Sequence, residues 1–381
     1  MQLDRSFQVD FKHRVRMTRD ALHPDNATLS SVLCDSPDRR VIAFVDSGVH
    51  QAHPDLGDRL ANYLGARAAL GESVPQLRAV EIVTGGEAAK NSLDVCEQVL
   101  AATDRHGIDR KSFILAIGGG AVLDAVGFGA TLAHRGVRLV RMPTTTLAMD
   151  DAAMGVKNGL NQFGKKNFVG TFSVPWAVVS DECFLATLSD RHFLAGFSEA
   201  VKIACLKDPA LFAQIEGDAP RIRSRDLGAA MPIISRSAQL HLDHIADGGD
   251  PFELQEARPL DFGHWAAHKL ESMSNYTIAH GDAVAIGIAL DCQYAVRAKL
   301  LSANDQTRIE RCLKSLGLPL HHPLLAQTDQ LVRGLEEFRE HLGGGLTITL
   351  LRSIGQSVEV HAMDRAIVTA SAQALAALAA P

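Results

Sequence analysis

The chain has 381 residues, 46% hydrophobic and 22% charged, the balance of an ordinary globular protein long enough for two domains. Its 38 basic and 44 acidic residues leave a formal charge of −6, which argues against nucleic acid as the main partner. Six scattered cysteines without a CxxC pair fit reduced thiols of a cytoplasmic protein, the charged start MQLDRSFQVDFKHRVRMTRD lacks the apolar stretch of a signal peptide, and no apolar run is long enough to predict a membrane span.

Short apolar runs alternate with helical spacing through the first half. Residues 41–45 (VIAFV) predict a buried strand ending at Asp46, and 80–83 predict another before Gly85-Gly86. Residues 93–102 have helical spacing. Residues 113–117 predict a third strand, followed at once by Gly118-Gly119-Gly120 and a helix. A fourth strand at 137–142 is stopped by Pro143, and 176–180 predict one more. This rhythm predicts a Rossmann-like, mostly parallel sheet with helices on both faces.

After about residue 185 long amphipathic stretches take over, at 191–206, 226–245, 263–273 and 282–300. A short strand is predicted at 346–351 and a terminal helix at 366–380. The expectation is a Rossmann-like α/β domain over 1–183 and an α-helical domain over 184–381.

Several residues have chemistry to offer. Three glycines between strand and helix suit either a pyrophosphate, with amides aimed from a helix N-terminus, or a plain tight turn. Asp46 is either a ribose-hydroxyl acceptor or a cap residue, and Asp124 sits where it would compensate the helix dipole. The stretch 143–170 (PTTTLAMDDAAMGVKNGLNQFGKKNFVG) gathers threonines, paired aspartates, Lys157, Lys165, Lys166 and Asn167, suited to a phosphate or polyol or to a solvated hairpin. Glu199 and Lys202 share a helix face at i, i+3, His264 and His268 stand at i, i+4, and His280 opens a further helix. One carboxylate and two imidazoles leave open positions on a divalent metal, as Lewis-acid catalysis requires. Trp265 stands where an HExxH protease would carry glutamate, which disfavours that class.

Taken in order, these segments resemble the sugar phosphate cyclase family, whose best-known member is 3-dehydroquinate synthase. The resemblance runs over roughly residues 40–355. It rests on GGExxK at 85–90, GGGxxxD at 118–124, Arg135-Gly136, PTT at 143–145 and Asp151-x5-Lys157. It continues through Lys166-Asn167, Glu199-x-x-Lys202, FGHxxxH at 262–268 and HGDAVAIG at 280–287. It implies a metal triad of Glu199, His264 and His280, usually zinc with cobalt as the alternative. It implies NAD contacts at Asp46, Glu87, Lys90, Gly118, Gly119, Gly120, Asp124, Thr144, Thr145 and Thr187. Lys157, Asn167 and His268 match phosphate contacts, and Asp151, Lys166 and Lys202 match groups around the reacting polyol. Arg135 matches an arginine that reaches a neighbour's phosphate site, which implies a homodimer. The implied reaction oxidises a ring carbinol transiently with NAD, eliminates phosphate, returns the hydride and closes a carbocycle by an aldol step.

The departures bear on the substrate. Dehydroquinate synthases clamp a substrate carboxylate with a lysine and an arginine, yet no lysine stands between Lys207 and Lys269, and the lysine's place falls near His241. Arg258 and Asp261 replace the arginine and asparagine before FGH, and FREHLGG with His341 replaces an Asp-Lys-Lys. These forms resemble the branch that uses sedoheptulose 7-phosphate, as valiolone synthases do, with Arg258, Asp261 and His341 as substrate-binding candidates. A true 3-dehydroquinate synthase and a metal-dependent polyol dehydrogenase are the alternatives.

Overall fold

The computed structural model describes residues 1–163, 165–248, 251–252, 260–341 and 345–377. The chain forms two units, Met1–Thr144 with Gly155–Ala186, and Thr145–Met154 with Thr187–Pro381. The sequence reading places one boundary near 183; the division falls after Ala186, and Thr145–Met154 sides with the second unit.

The first unit is built on eight strands: β1 (Val15–Thr18), β2 (Arg40–Asp46), β3 (Gln76–Val83), β4 (Phe113–Gly118), β5 (Arg138–Pro143), β6 (Lys157–Gln162), β7 (Lys165–Phe172) and β8 (Ala177–Asp181). Its helices are α1 (Thr28–Leu33), α2 (Ser47–Ala52), α3 (Leu56–Ala69), α4 (Asp94–Arg105) and α5 (Gly120–Leu132). Six strands form one parallel sheet in the order β1-β8-β5-β4-β2-β3. Every residue of β4 and β8 is buried, which is why β4 reads as an unbroken apolar run, while β8 is apolar from Ala177 to Val179 and ends in Ser180 and Asp181. From β2 the chain goes to β3 on one side, and from β4 to β5 on the other. The order therefore reverses between β2 and β4, where open α/β sheets bind ligands outside the carboxyl ends of their strands. Asp46 and Gly118 end those two strands.

β6 and β7 form a separate antiparallel hairpin. The fully buried Arg141 pins its first strand, donating to the carbonyls of Gly155 (2.7 Å) and Lys157 (3.0 Å) and to Asn158 Oδ1 (2.8 Å).

The second unit is helical: α6 (Asp190–Ala195), α7 (Phe197–Lys207), α8 (Pro209–Arg223), α9 (Leu227–Asp247), α10 (His264–Met273), α11 (His280–Arg297), α12 (Ala303–Leu316), α13 (Thr328–His341) and α14 (Arg365–Ala377). A hairpin of β9 (Ile348–Ser353) and β10 (Gln356–Val360) completes it. The one helix expected over 191–206 is two. The Thr146 hydroxyl donates to the Phe193 carbonyl (2.9 Å) and accepts from Gly196 N (3.3 Å), which interrupts the ladder at Gly196. α7 is buried from Phe197 to Leu206 and packs on α8, α9 and α11, so polar atoms on it have no water to turn to. Among the described residues no helix is long and apolar enough to cross a membrane.

Candidate metal centre and its surroundings

Three helix starts bring together residues far apart in sequence. Glu199 lies in the first turn of α7 and is fully buried, while His264 and His280 are the first residues of α10 and α11. Glu199 Oε1 lies 3.5 Å from His264 Nε2 and 3.3 Å from His280 Nε2. The other ring nitrogens are already engaged. His264 Nδ1 is 3.1 Å from the Phe262 carbonyl, and His280 Nδ1 is 3.2 Å from Glu271 Oε1. These acceptors assign the imidazole proton to Nδ1, so both Nε2 lone pairs face the carboxylate. Lone pairs facing a carboxylate repel it unless a cation stands between them. The oxygens of Glu199 receive no hydrogen bond of good geometry, and ligand atoms of the three residues lie within 4.8 Å of one another. One carboxylate and two imidazoles therefore fit a borderline-soft divalent cation with open positions.

The cluster continues beyond the triad. Lys202 Nζ lies 2.6 Å from Glu199 Oε2 and 3.7 Å from Asp151, and His241 Nε2 lies 3.4 Å from Asp151. Burial favours neutral Glu199, but the Lys202 ammonium 2.6 Å away outweighs it and holds the carboxyl well below the usual range. Burial likewise opposes the charge on Lys202, yet Glu199 and Asp151 raise its pKa above the ordinary value. His241 is lowered by burial, with its Nδ1 2.9 Å from the Ser237 carbonyl, so it is a neutral imidazole. Burial, reinforced by Asp151 and Glu199, pushes Asp150 well above the carboxylate range. His268 stacks on His280 with ring centroids 6.1 Å apart. The Asp261 carbonyl accepts from His264 N at 2.9 Å.

Sequence reasoning missed Glu271 and Asp291. Glu271 stands on α10 at i+7 from His264 and i+3 from His268, a face the spacing makes visible. Asp291 is fully buried on α11, accepting from Gly263 N (2.9 Å) and Trp265 Nε1 (2.8 Å). The lone charge in the run AVAIGIALDC was its signal. Burial lifts its carboxyl from 3.8 to about 7 despite those two hydrogen bonds. Between these values the folded state holds more protons than the unfolded one, so the stability Asp291 contributes is full below 3.8 and falls as pH rises towards 7. From pH 5 to pH 8 the metal-free wild type should lose about 2–3 kcal/mol more than Asp291→Asn. Urea denaturation at the two pH values measures this, and parallel losses would contradict it.

In the first unit Lys90 Nζ, nearly buried, lies 2.6 Å from Asp124 Oδ2 and 2.5 Å from Asn167 Oδ1. Asn161 joins them, donating to Glu87 Oε1 (2.9 Å) and accepting from Asn167 N (3.0 Å). Glu87, Lys90, Asp124 and Asn167 thus share one network, with Asn161 the member sequence reasoning missed. Asp124 is the fifth residue of α5, not in its first turn; its partner is Lys90 rather than the helix dipole. Asp46 caps α2 through Gly48 N (2.7 Å) and lies 3.4 Å from Gly86 N. Thr144 N donates to the Gly118 carbonyl (3.0 Å). Gly119 caps α5 and Gly120 begins it. Arg135 and Lys157 are exposed, and Lys166 is half-buried. In the second unit Thr145 Oγ1 accepts from Ala148 N (3.1 Å), and Thr187 is exposed. Arg258 and the side chain of His341 lie outside the described residues.

Comparison with known proteins shows the family of the chain. The 3-dehydroquinate synthase N-terminal family matches residues 80–195, and the 3-dehydroquinate synthase C-terminal family matches 196–338. The chain belongs to the 3-dehydroquinate synthase-like family of sugar phosphate cyclases. It is 31% identical to a 2-epi-5-epi-valiolone synthase of Streptomyces glaucescens, over 93% of this chain and 88% of the relative. It is 35% identical to a 3-dehydroquinate synthase of Halorhodospira halophila, over 70% and 75% respectively. Among solved structures, the 2-epi-5-epi-valiolone synthase of Streptomyces hygroscopicus subsp. jinggangensis 5008, with NAD+ and Zn2+ bound, superposes with a TM-score of 0.89. That structure is 29% identical and covers 99% of this chain and 100% of its own. Both activities thus occur among relatives of this chain, and the choice between them rests on the site.

Proposed function

We propose that the chain is a metal- and NAD-dependent cyclase that converts sedoheptulose 7-phosphate to a seven-carbon cyclitol of the 2-epi-valiolone or 2-epi-5-epi-valiolone type, releasing phosphate. The observation that carries this reading is the Glu199, His264 and His280 cluster with its neighbours Lys202, Asp151 and His241. Lys202 is committed to two carboxylates, and His241 is neutral. A substrate carboxylate gains little from such neighbours, whereas sugar hydroxyls find acceptors and a donor.

Glu199, His264 and His280 would hold the cation, and the β2–β4 switch point with Asp46, Gly118, Gly119 and Gly120 would hold NAD. When bound, the cation would supply Lewis acidity toward a hydroxyl or ketone oxygen, and the dinucleotide would supply a reversible hydride acceptor. The remaining chemistry belongs to side chains. Asp151, Lys202 and Lys166 orient hydroxyls and move protons, and Lys157, Asn167 and His268 bind the phosphate as it leaves. Arg135 supplies a further guanidinium for phosphate, to the neighbouring protomer in a homodimer.

The test is to incubate the protein, NAD and zinc with sedoheptulose 7-phosphate or with 3-deoxy-arabino-heptulosonate 7-phosphate, follow phosphate, and identify products by NMR. The sugar should be preferred by at least ~100-fold in kcat/KM, the scale of one charge-assisted contact. A preference for the acid would instead make the chain a 3-dehydroquinate synthase. Net NADH formation from simple polyols, without phosphate release, would make it a dehydrogenase.

A second prediction concerns the dinucleotide. A Cβ on Gly85 would stand 2.1 Å from Asp46 Oδ1, so Gly85→Ala must push that carboxylate aside. NAD should then bind at least about tenfold more weakly by calorimetry, the loss of roughly one hydrogen bond to a charged group. Zinc affinity should be unchanged. Unaltered NAD binding would remove Asp46 from the cofactor site.

A further inference from the structure

The turn that carries His264 is held from both sides by one side chain. Gly263 N donates to Asp291 Oδ2 at 2.9 Å, and Trp265 Nε1 donates to Asp291 Oδ1 at 2.8 Å. Phe262, Trp265 and Asp291 are fully or almost fully buried, so water offers these donors no substitute partner. The backbone supports the same seat. Gly263 adopts φ +79° and lies so close to α11 that a Cβ on it would stand 2.8 Å from Ile288 N. A Cβ on Gly287 would stand 2.0 Å from the Gly263 carbonyl oxygen. Gly287 and Asp291 are one helical turn apart and therefore form a single cradle on α11.

His280, at the start of α11, lies eleven residues before Asp291, about three turns at 3.6 residues per turn. The two therefore share one face of one rigid helix.

We propose that Asp291 is a positioning residue for the metal centre, clamping the Gly263–Trp265 turn onto α11 so that His264 Nε2 is held at a set distance from His280 and Glu199. This rests on the reading of those three residues as the cation site. Among the described residues Asp291 is the carboxylate that accepts from Gly263 N and Trp265 Nε1, so without it the turn loses both hydrogen bonds and His264 gains freedom that binding must remove. A buried carboxylate that merely satisfied the Trp265 indole would leave metal affinity untouched in protein that still folds.

Zinc affinity measured by chelator competition decides between these roles, with the visible spectrum of the cobalt-loaded protein as a second readout. Wild type should bind one zinc per chain and His264→Ala none. Asp291→Ala should bind zinc about 10–100-fold more weakly and shift the cobalt bands, with the far-UV spectrum of the metal-free protein unchanged. Trp265→Phe, which removes one of the two donors, should fall between. Zinc lost by His264→Ala but held at wild-type affinity by folded Asp291→Ala would overturn the inference alone. Zinc retained by His264→Ala would overturn the reading of the site and the inference with it. Should Asp291→Ala fail to fold, Trp265→Phe carries the test, and wild-type zinc affinity in that variant would overturn the clamp.

Discussion

Purified His264→Ala protein should carry almost no zinc and release phosphate from sedoheptulose 7-phosphate at least ~1,000-fold more slowly than wild type, since Lewis-acid stabilisation supplies several kcal/mol and each 1.36 kcal/mol is tenfold. Removing this imidazole takes away the triad partner 3.5 Å from Glu199 Oε1 and leaves His280 Nε2 at 3.3 Å. Two ligands hold a divalent ion far less well than three. The fold should survive, because the two hydrogen bonds from Gly263 N and Trp265 Nε1 to Asp291 remain when the imidazole and its contact with the Phe262 carbonyl are gone. Metal analysis and phosphate release, read together, check this. A variant with full zinc and full turnover would remove His264 from the centre.

Lys202→Met should have the largest effect on stability. The ammonium is nearly buried, 2.6 Å from Glu199 and 3.7 Å from Asp151. Deleting one partner of a buried ion pair leaves the other charge uncompensated and costs about 3–5 kcal/mol. Glu199 is fully buried and cannot recover that loss from water. Zinc would supply the missing positive charge, so saturating zinc should raise the thermal midpoint of Lys202→Met by more than that of wild type. Turnover should fall by about 100-fold to 10,000-fold even with zinc, the range for loss of a positioned proton-handling group. Urea denaturation with and without zinc, alongside phosphate release, measures both effects. An unchanged midpoint would mean that Lys202 does not bear the charge balance assigned to it.

Much of the first unit was legible because its central strands are buried on both faces. Residues 41–45 and 113–117 read as strands since no polar position interrupts them, and Gly118 and Pro143 close β4 and β5. The edge strand β1 was invisible: Val15 and Met17 alternate with Arg16 and Thr18, but over four residues the alternation is too short to stand out. The segment 143–170 reads as one polar, glycine-punctuated stretch. The chain divides it, ending β5 at Pro143, sending Thr145–Met154 to the second unit and forming β6 and β7 from Lys157 onward. The Thr146 contact that breaks the helix at Gly196 is fifty residues away in sequence, and no local period records it.

The candidate site was legible unevenly. Local spacing alone pairs His264 with His268 at i, i+4, while the geometry pairs His264 with Glu199 and His280. Matching the segments to a family, not periodicity, picked out the triad. The supporting residues were missed for a common reason. A carboxylate in a helical stretch normally reads as a solvent-facing group, and Glu271 and Asp291 are instead turned inward. Burial inverts the meaning of such a residue, and burial is a property of the tertiary fold.

The most direct test of the cation site is X-ray diffraction at the zinc absorption edge, on crystals of the protein grown with zinc. The account predicts one anomalous peak per chain, about 2.0–2.2 Å from Glu199, His264 Nε2 and His280 Nε2 together. Zinc bound elsewhere, with those three side chains holding nothing between them, would contradict it.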